Sequence, residues 1–514
     1  MSGSSDEVSY FTSLAYDDQL GTLPSNDLQR TNFRANFRAT PNEKISVTAN
    51  SGYVRSTINL PKSGNNTSGF FTNALTGIPL SSRNADGECL ATVLAGVEPD
   101  FCDKNGNRRA AFDKIAAIIS REKIERFTGS LQIDYTPVSW LTNSATLGTD
   151  IVDQVFNDAI PFDPDIPFSF AAGGEFFRTR NLFRNLTVDL SSRAAYDLTS
   201  SVGARTGIGA QYFQSTTEEI ACEGRDFVND QATACDAGVS LRGFSDLSEK
   251  VEIGAYLQQH LSYNDYLFLN GALRVDDNSA LGANEPAIWS PSLNGSLVVS
   301  DLPMWNVAPG LVSDLRVRAA WGTATQSPVQ YAAQRTFGIV RLGTDAGIVS
   351  GLSPEDPGNP DLGPERSSEI EVGFDAGVLD DRVGLQFTYF DRTTKDAIVL
   401  RPVAPSTGFA DNQWVNLGEL ENKGYEASIN ALLLNRGYLT WDAVLTFAST
   451  KSTIVDLGDQ DGFDGFYEGY APGSLTSCVI TSATRTADGE ILNSEGELVG
   501  TVEHLPGTID EGCE

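Results

Sequence analysis

Residues able to do chemistry are few and scattered in this chain. His260 and His504 are its only imidazoles. A serine or cysteine nucleophile needs a base within hydrogen-bond reach and a third group to orient that base. Neither histidine has such surroundings, and no carboxylate pair is singled out by its context, so no catalytic residues are assigned and an enzyme is not expected. The run DLGDQDGFDG places Asp456, Asp459, Asp461 and Asp464 among glycines, the oxygen-rich character that calcium requires. It lacks the twelve-residue helix-loop-helix pattern, so Asp459, Asp461 and Asp464 are weak calcium candidates, and no other metal or cofactor is expected. Asp163 and Asp165 in FDPDIPF could face a cation or a sugar, but their proline spacing reads better as a rigid loop.

The six cysteines carry a different chemistry. Cys89 to Cys102 and Cys222 to Cys235 are separated by the same step, 102 − 89 = 13 and 235 − 222 = 13. Neither pair has CxxC spacing, and both lie far from the histidines, which argues against a metal site. Local disulfides clamping two long loops are expected, and they imply an oxidising compartment.

Those loops must be carried by something regular. Abundant glycine, 48 residues against 2 methionines, suits a β-rich chain full of turns and bends. The formal charge of −32 argues against nucleic acid as a partner. No run approaches the ~20 apolar residues of a spanning helix. The start MSGSSDEVSYF has no basic segment and no apolar core, so export would require an amino terminus upstream of Met1.

Strict alternation marks the strands. In Arg30–Thr40, Arg30, Asn32, Arg34, Asn36 and Arg38 interleave with Thr31, Phe33, Ala35, Phe37 and Ala39. Ile370, Val372, Phe374, Ala376 and Val378 share one face of the next clear strand, with Glu369, Glu371, Gly373 and Asp375 on the other. After the turn Leu379-Asp380-Asp381-Arg382 the pattern resumes through Val383, Leu385, Phe387 and Tyr389. A soluble sandwich would bury the apolar face, whereas a transmembrane barrel would show it to lipid. Short turns alternating with long loops favour the barrel. Roughly sixteen strands of about ten residues are expected, with irregular stretches over 152–182 and 217–249. The segment AAFDKIAAIISREKIERF reads as a short helix, because Phe112, Ile115, Ile118 and Ile119 share a helical face. Tyr16, Tyr53, Tyr135, Trp140, Trp321, Tyr389, Tyr425 and Trp441 lie near strand ends, as interfacial aromatics would.

The order NPDL, PER, E-x-EVGFDAG, a tight turn ending in arginine, and YFDRTT, across Asn359 to Thr394, resembles the late barrel region of TonB-linked outer-membrane receptors of the SusC/RagA-like branch. VSYFTSLAYDDQLGTLPSNDLQRTNFRANF at 8–37, ERFTGSLQIDYTPVSWL at 125–141, NKGYEASINA at 422–431 and EGYAPGSL at 468–475 resemble the same family. The resemblance implies an all-β fold, an antiparallel transmembrane barrel of about 22 strands around a plug, in the outer membrane of a Gram-negative bacterium. It implies import of a nutrient such as a glycan or peptide, coupled to the TonB complex through the plug, in many cases with a surface lipoprotein of the SusD-like kind. This chain would supply roughly sixteen of those strands over residues 1–455, followed at 456–514 by an acidic external loop cut short. The plug and last strands would lie outside it. Arg34, Arg38, Arg316, Arg318, Glu369, Glu371 and Gln386 are then lumen-facing candidates for contact with the plug or with the imported small molecule or oligomer. The alternative is a soluble or surface-attached β protein that binds glycan or protein through its loops. The surroundings of Phe33, Phe37, Val372, Phe374, Leu385 and Phe387 separate the two readings: lipid-exposed in one, packed against a second sheet in the other.

Overall fold

A computed structural model describes all residues except 24, 63–117, 163–172, 230–233, 306–310, 345–346, 410, 459–461, 463–465, 475–483, 486–490 and 493–514. The described chain is antiparallel β-structure. Its strands are β1 (Ser2–Ser4), β2 (Val8–Leu20), β3 (Asp27–Asn42), β4 (Ile45–Leu60), β5 (Ile119–Val138), β6 (Leu141–Ile160), β7 (Glu175–Thr199), β8 (Val202–Arg225), β9 (Ser240–Tyr263), β10 (Leu267–Asn278) and β11 (Ile288–Val298). There follow β12 (Val312–Gln326), β13 (Phe337–Thr344), β14 (Gly347–Pro354), β15 (Glu365–Val378), β16 (Val383–Lys395), β17 (Ile398–Arg401), β18 (Gln413–Asn416), β19 (Glu419–Arg436), β20 (Leu439–Asp456), β21 (Thr484–Arg485) and β22 (Ile491–Leu492). Among the described residues sixteen strands form one sheet in the order β1 to β12, β15, β16, β19, β20, and β13–β14, β17–β18 and β21–β22 are separate small hairpins. The chain divides into two compact units, Met1–Tyr196 with Arg205–Leu257 and Asp276–Ser279, and Asp197–Ala204 with Gln258–Val275 and Ala280–Glu514.

Tight turns set the register. Leu379, Asp380 and Asp381 all adopt left-handed backbone, φ 57°, 53° and 61°, which aspartate tolerates better than most residues. The result pairs Val378 with Val383 and Phe374 with Phe387, so the two apolar runs share one face and Glu369 meets Arg392 on the other. Asn264 and Asp265 make a similar turn between β9 and β10, φ 45° and 60°.

Over its described residues the helix expected at 110–127 is replaced by strand. Its part from Ile119 onward is the start of β5, a 20-residue strand paired to β4 from Leu60↔Ser120 to Ile45↔Tyr135; Phe112 and Ile115 lie outside the described residues. Helix-favouring Glu122, Lys123 and Glu125 are held extended because both edges of β5 are taken up by ladders, and cross-strand pairing overrides a weak propensity. Strands are also longer than the alternation of apolar residues indicated. β7 runs 25 residues and β8 24, so 175–182 and 217–225, expected to be irregular, are regular strand. Ion pairs support these extensions: Arg180 meets Asp153 at 2.7 Å and Arg184 meets Glu218 at 3.7 Å.

A single sheet leaves little interior, so the buried side chains gather where loops cover strand ends. In the first unit Ala159, Phe176, Phe227 and Cys235 form a small core, with Phe162 and Cys222 packed against it. Cys222 and Cys235 are disulfide-bonded; Cys89, Cys102, Cys478 and Cys513 lie outside the described residues. Closing a loop of this length contributes about 3 kcal/mol. Replacing both cysteines by serine is expected to lower the stability of this end by about that much. Hydrogen exchange would show it as faster exchange of the Phe227 amide, which donates to Gly173 O at 2.7 Å, with Ala195 at the other end of β7 unchanged.

In the second unit the NPDLGPE stretch forms a junction of three connections. Leu362 is fully buried. Its carbonyl accepts from Gly282 N at 2.8 Å, and Asn284 Nδ2 donates to Asp361 Oδ1 at 2.7 Å. Asn416 closes the other side: its Oδ1 accepts from Gly363 N at 2.7 Å and its Nδ2 donates to Gly363 O at 2.9 Å. Asn359 Nδ2 donates to Trp414 O at 3.0 Å. A Cβ at Gly282 would sit 2.3 Å from Pro360 O, so this close approach needs glycine.

Candidate functional site

Alternation gives every strand two unlike faces, and the ladders align like with like. On β3, Arg34 lies opposite Ser13 of β2 and Gly52 of β4, while Arg38 lies opposite Ser9 and Thr48. This polar face of the first unit carries Arg30, bonded to Asp17 at 3.1 Å. On β5 Arg126 donates two bonds to Asp150, 2.9 and 2.7 Å. It encloses a cavity of 740 Å³ lined by Arg34, Asn32, Asn36, Asn50, Arg126 and Ser130 among others. Arg34 and Arg38 have no ion-pair partner among the described residues, so Arg34 brings an uncommitted guanidinium to that cavity.

The polar face of the second unit gathers the other candidates. Arg316 lies opposite Asp375 and Arg318 opposite Gly373, while Gln386 lies between Asp375 and Ser428. Arg318 donates to Thr388 Oγ1 at 2.6 Å and lies 3.6 Å from Asp375. Arg392 donates to Glu369 at 2.5 Å. Two cavities meet at Arg318. One of 260 Å³ is lined by His260, Asn270, Asn294 and Glu371; the other, of 370 Å³, by Gln386, Thr388, Glu426 and Ser428. Arg318, Glu371 and Gln386 are thus brought together, and Arg34 and Arg38 belong to the first unit. Asp459, Asp461, Asp464, Asp163 and Asp165 lie outside the described residues.

Reading residue types alone missed Arg126, Asp150, Arg392, His260 and Glu426. They stand on the same faces as the candidates, and counting outward from each tight turn would have found them, because antiparallel partners sum to a constant.

The opposite face is apolar and open. Phe33, Phe37, Val372 and Phe374 are 43%, 44%, 44% and 37% exposed, and Leu385 and Phe387 are half-buried only by their neighbours in the ladder. Among the described residues no second sheet packs on any of them, which is the arrangement of a membrane wall and not of a sandwich. Tyr53 and Phe127 of the first unit are ladder partners, as are Tyr389 and Tyr425 of the second, and in each unit these exposed rings mark a border of the apolar face, with Tyr135 and Trp140 of the first unit and Trp441 of the second toward the short turns.

Residues 3–476 match the family described as TonB dependent receptor-like, beta-barrel, and the chain belongs to that family. It resides in the outer membrane of a Gram-negative bacterium. It is 24% identical over 489 residues to TonB-dependent receptor P26 of Formosa agariphila, covering 90% of this chain and 46% of that protein. Over 172 residues, 31% of this chain and 16% of the other, it is 27% identical to TonB-dependent receptor SusC of Bacteroides thetaiotaomicron. Its fold is similar to that of the RagAB peptide importer in the closed-closed state, TM-score 0.79 at 19% identity, covering 99% of this chain and 57% of that one. The chain thus spans about half the length of receptor P26 and of the RagAB chain.

Proposed function

We propose that this chain is the wall of an importer that carries a nutrient, a glycan or peptide, across the outer membrane, coupled to the TonB complex through a plug in the lumen and working with a surface lipoprotein of the SusD-like kind. One observation carries the reading. In each unit a polar face of arginines, carboxylates, amides and small residues, hollowed into cavities, backs directly onto an apolar face bordered by aromatics. A polar ligand then passes along side chains that replace its hydration while the hydrocarbon stays on the other side of one strand's thickness. One similar structure is a peptide importer, which supports the peptide class.

The test is uptake. In a host deleted for its own copy, the full-length receptor should restore growth on its nutrient, with peptide and glycan mixtures supplied separately as sole sources. Arg318→Glu removes the bond to Thr388 and sets a carboxylate beside Asp375 and Glu371. Each arginine-carboxylate contact at this degree of exposure contributes little to folding, so the expected result is near-normal folded protein in the outer membrane with uptake reduced by roughly tenfold or more, about 1.4 kcal/mol of lost interaction. Normal uptake by this variant would show that the cavities at Arg318 are off the path; failure of the wild type on both nutrient classes would overturn the reading.

A further inference from the structure

The outer surface of the first unit carries a second feature that import does not use. Beyond the aromatic border the apolar face of β4 to β7 continues for several residues and becomes cationic. The row that includes Tyr53, Phe127 and Ile151 ends on β7 at Arg184. In the next row Arg55 faces Glu125, which faces Asp153. One row further are Lys123 and Arg180, both opposite Val155, and then Arg121 and Arg178, both opposite Asn157. This face therefore sets six cations against two carboxylates, in a protein whose formal charge is −32.

The carboxylates do not neutralise it. Arg55 lies 3.3 Å from Glu125 and Arg180 2.7 Å from Asp153, and Glu218 of β8 reaches Arg184 at 3.7 Å. Arg121 is bonded to the neutral Asn59 at 2.7 Å. Lys123 and Arg178 are exposed and have no ion-pair partner among the described residues. Rows on one face are ~7 Å apart and alternate strands ~10 Å apart, so the uncommitted cations form a patch the width of a lipid headgroup or two. It lies on the side of the long loops and adjoins the lipid-facing band without a break. Long cationic side chains at that depth reach into the headgroup layer, where phosphate is the complementary charge.

We propose that the exterior face of β4–β7 is a binding surface for phosphate-bearing lipid headgroups of the outer leaflet, held by Arg121, Lys123 and Arg178. The surface depends on the apolar face meeting lipid and is independent of what the lumen carries. The protein would thereby fix one or two lipids at one sector of its wall.

The test is native mass spectrometry of the full-length receptor in mild detergent, titrated with lipid A carrying its phosphates and with the same lipid dephosphorylated. Wild type should bind the phosphorylated form at least tenfold more tightly, a comparison that needs no variant. The triple variant Arg121→Gln, Lys123→Gln, Arg178→Gln should lose roughly a hundredfold of that affinity, from three charges at the surface. Arg121→Lys with Arg178→Lys should keep it, as should Arg436→Gln near the short turns. Equal binding of both lipids by wild type, or undiminished binding by the triple variant, would overturn the proposal. So would displacement of the lipid by inorganic phosphate alone, which would make this a site for free anions.

Discussion

Phe374→Arg is expected to keep most of the protein from reaching a folded state in the outer membrane. Phe374 sits midway along the apolar face of β15, opposite Val317 and Phe387, with its ring 5.8 Å from that of Phe387 and nearly parallel to it. An arginine at the mid-depth of a lipid-facing strand costs about 2–4 kcal/mol, and the lost ring contact adds ~0.5–1.5 kcal/mol. Gln386→Arg is one position away on the neighbouring strand but on the polar face, beside Asp375, and should fold normally. The fraction of each variant that keeps a compact, heat-modifiable mobility on gel electrophoresis measures the difference. If both behave alike, the assignment of faces is wrong. The comparison is sharp because the two sites share strand depth and differ only in which solvent they meet.

Leu362→Ala should have an effect of similar size at a different place. Leu362 has no exposed surface, and truncating a buried leucine costs about 2–5 kcal/mol, depending on how far the site collapses. Here collapse is resisted by the surrounding bonds, those of Gly282 to Leu362 O, of Asn284 to Asp361 and of Asn416 to both sides of Gly363. The loss should therefore loosen the junction locally and leave the ladders intact. Hydrogen exchange reads this directly. Amides of Gly282 and Gly363 should exchange faster by a factor of tens or more, while those in the β15–β16 ladder keep their protection. Unchanged exchange at Gly282 would mean that the junction is held by its polar contacts alone. Because this junction ties together the connections 279–287, 358–364 and 413–416, its loosening should also disturb whatever the long loops contact.

Much of this protein is legible in its residues. The interleaving of Arg30, Arg34 and Arg38 with Phe33 and Phe37 determined two unlike faces, since successive side chains of an extended chain must point oppositely. The run Leu379-Asp380-Asp381-Arg382 determined where β15 turns into β16, and NPDLGPE with EVGFDAG was enough to indicate the family. Tertiary structure decided what depends on a partner strand. Glu122, Lys123 and Glu125 suit a helix by their own propensities, and only ladders on both edges hold them in β5. Arg178 and Arg180 carry no apolar alternation that would reveal a strand, yet β7 extends through them, because backbone pairing with β6 continues beyond the apolar band and Asp153 neutralises Arg180. The meeting of Arg126 with Asp150, of Arg392 with Glu369, and of Asn416 with Gly363 depends in the same way on register and on loops folding back. A period of two tells each residue its face, but the neighbour it meets there is set by the pairing of strands far apart in sequence.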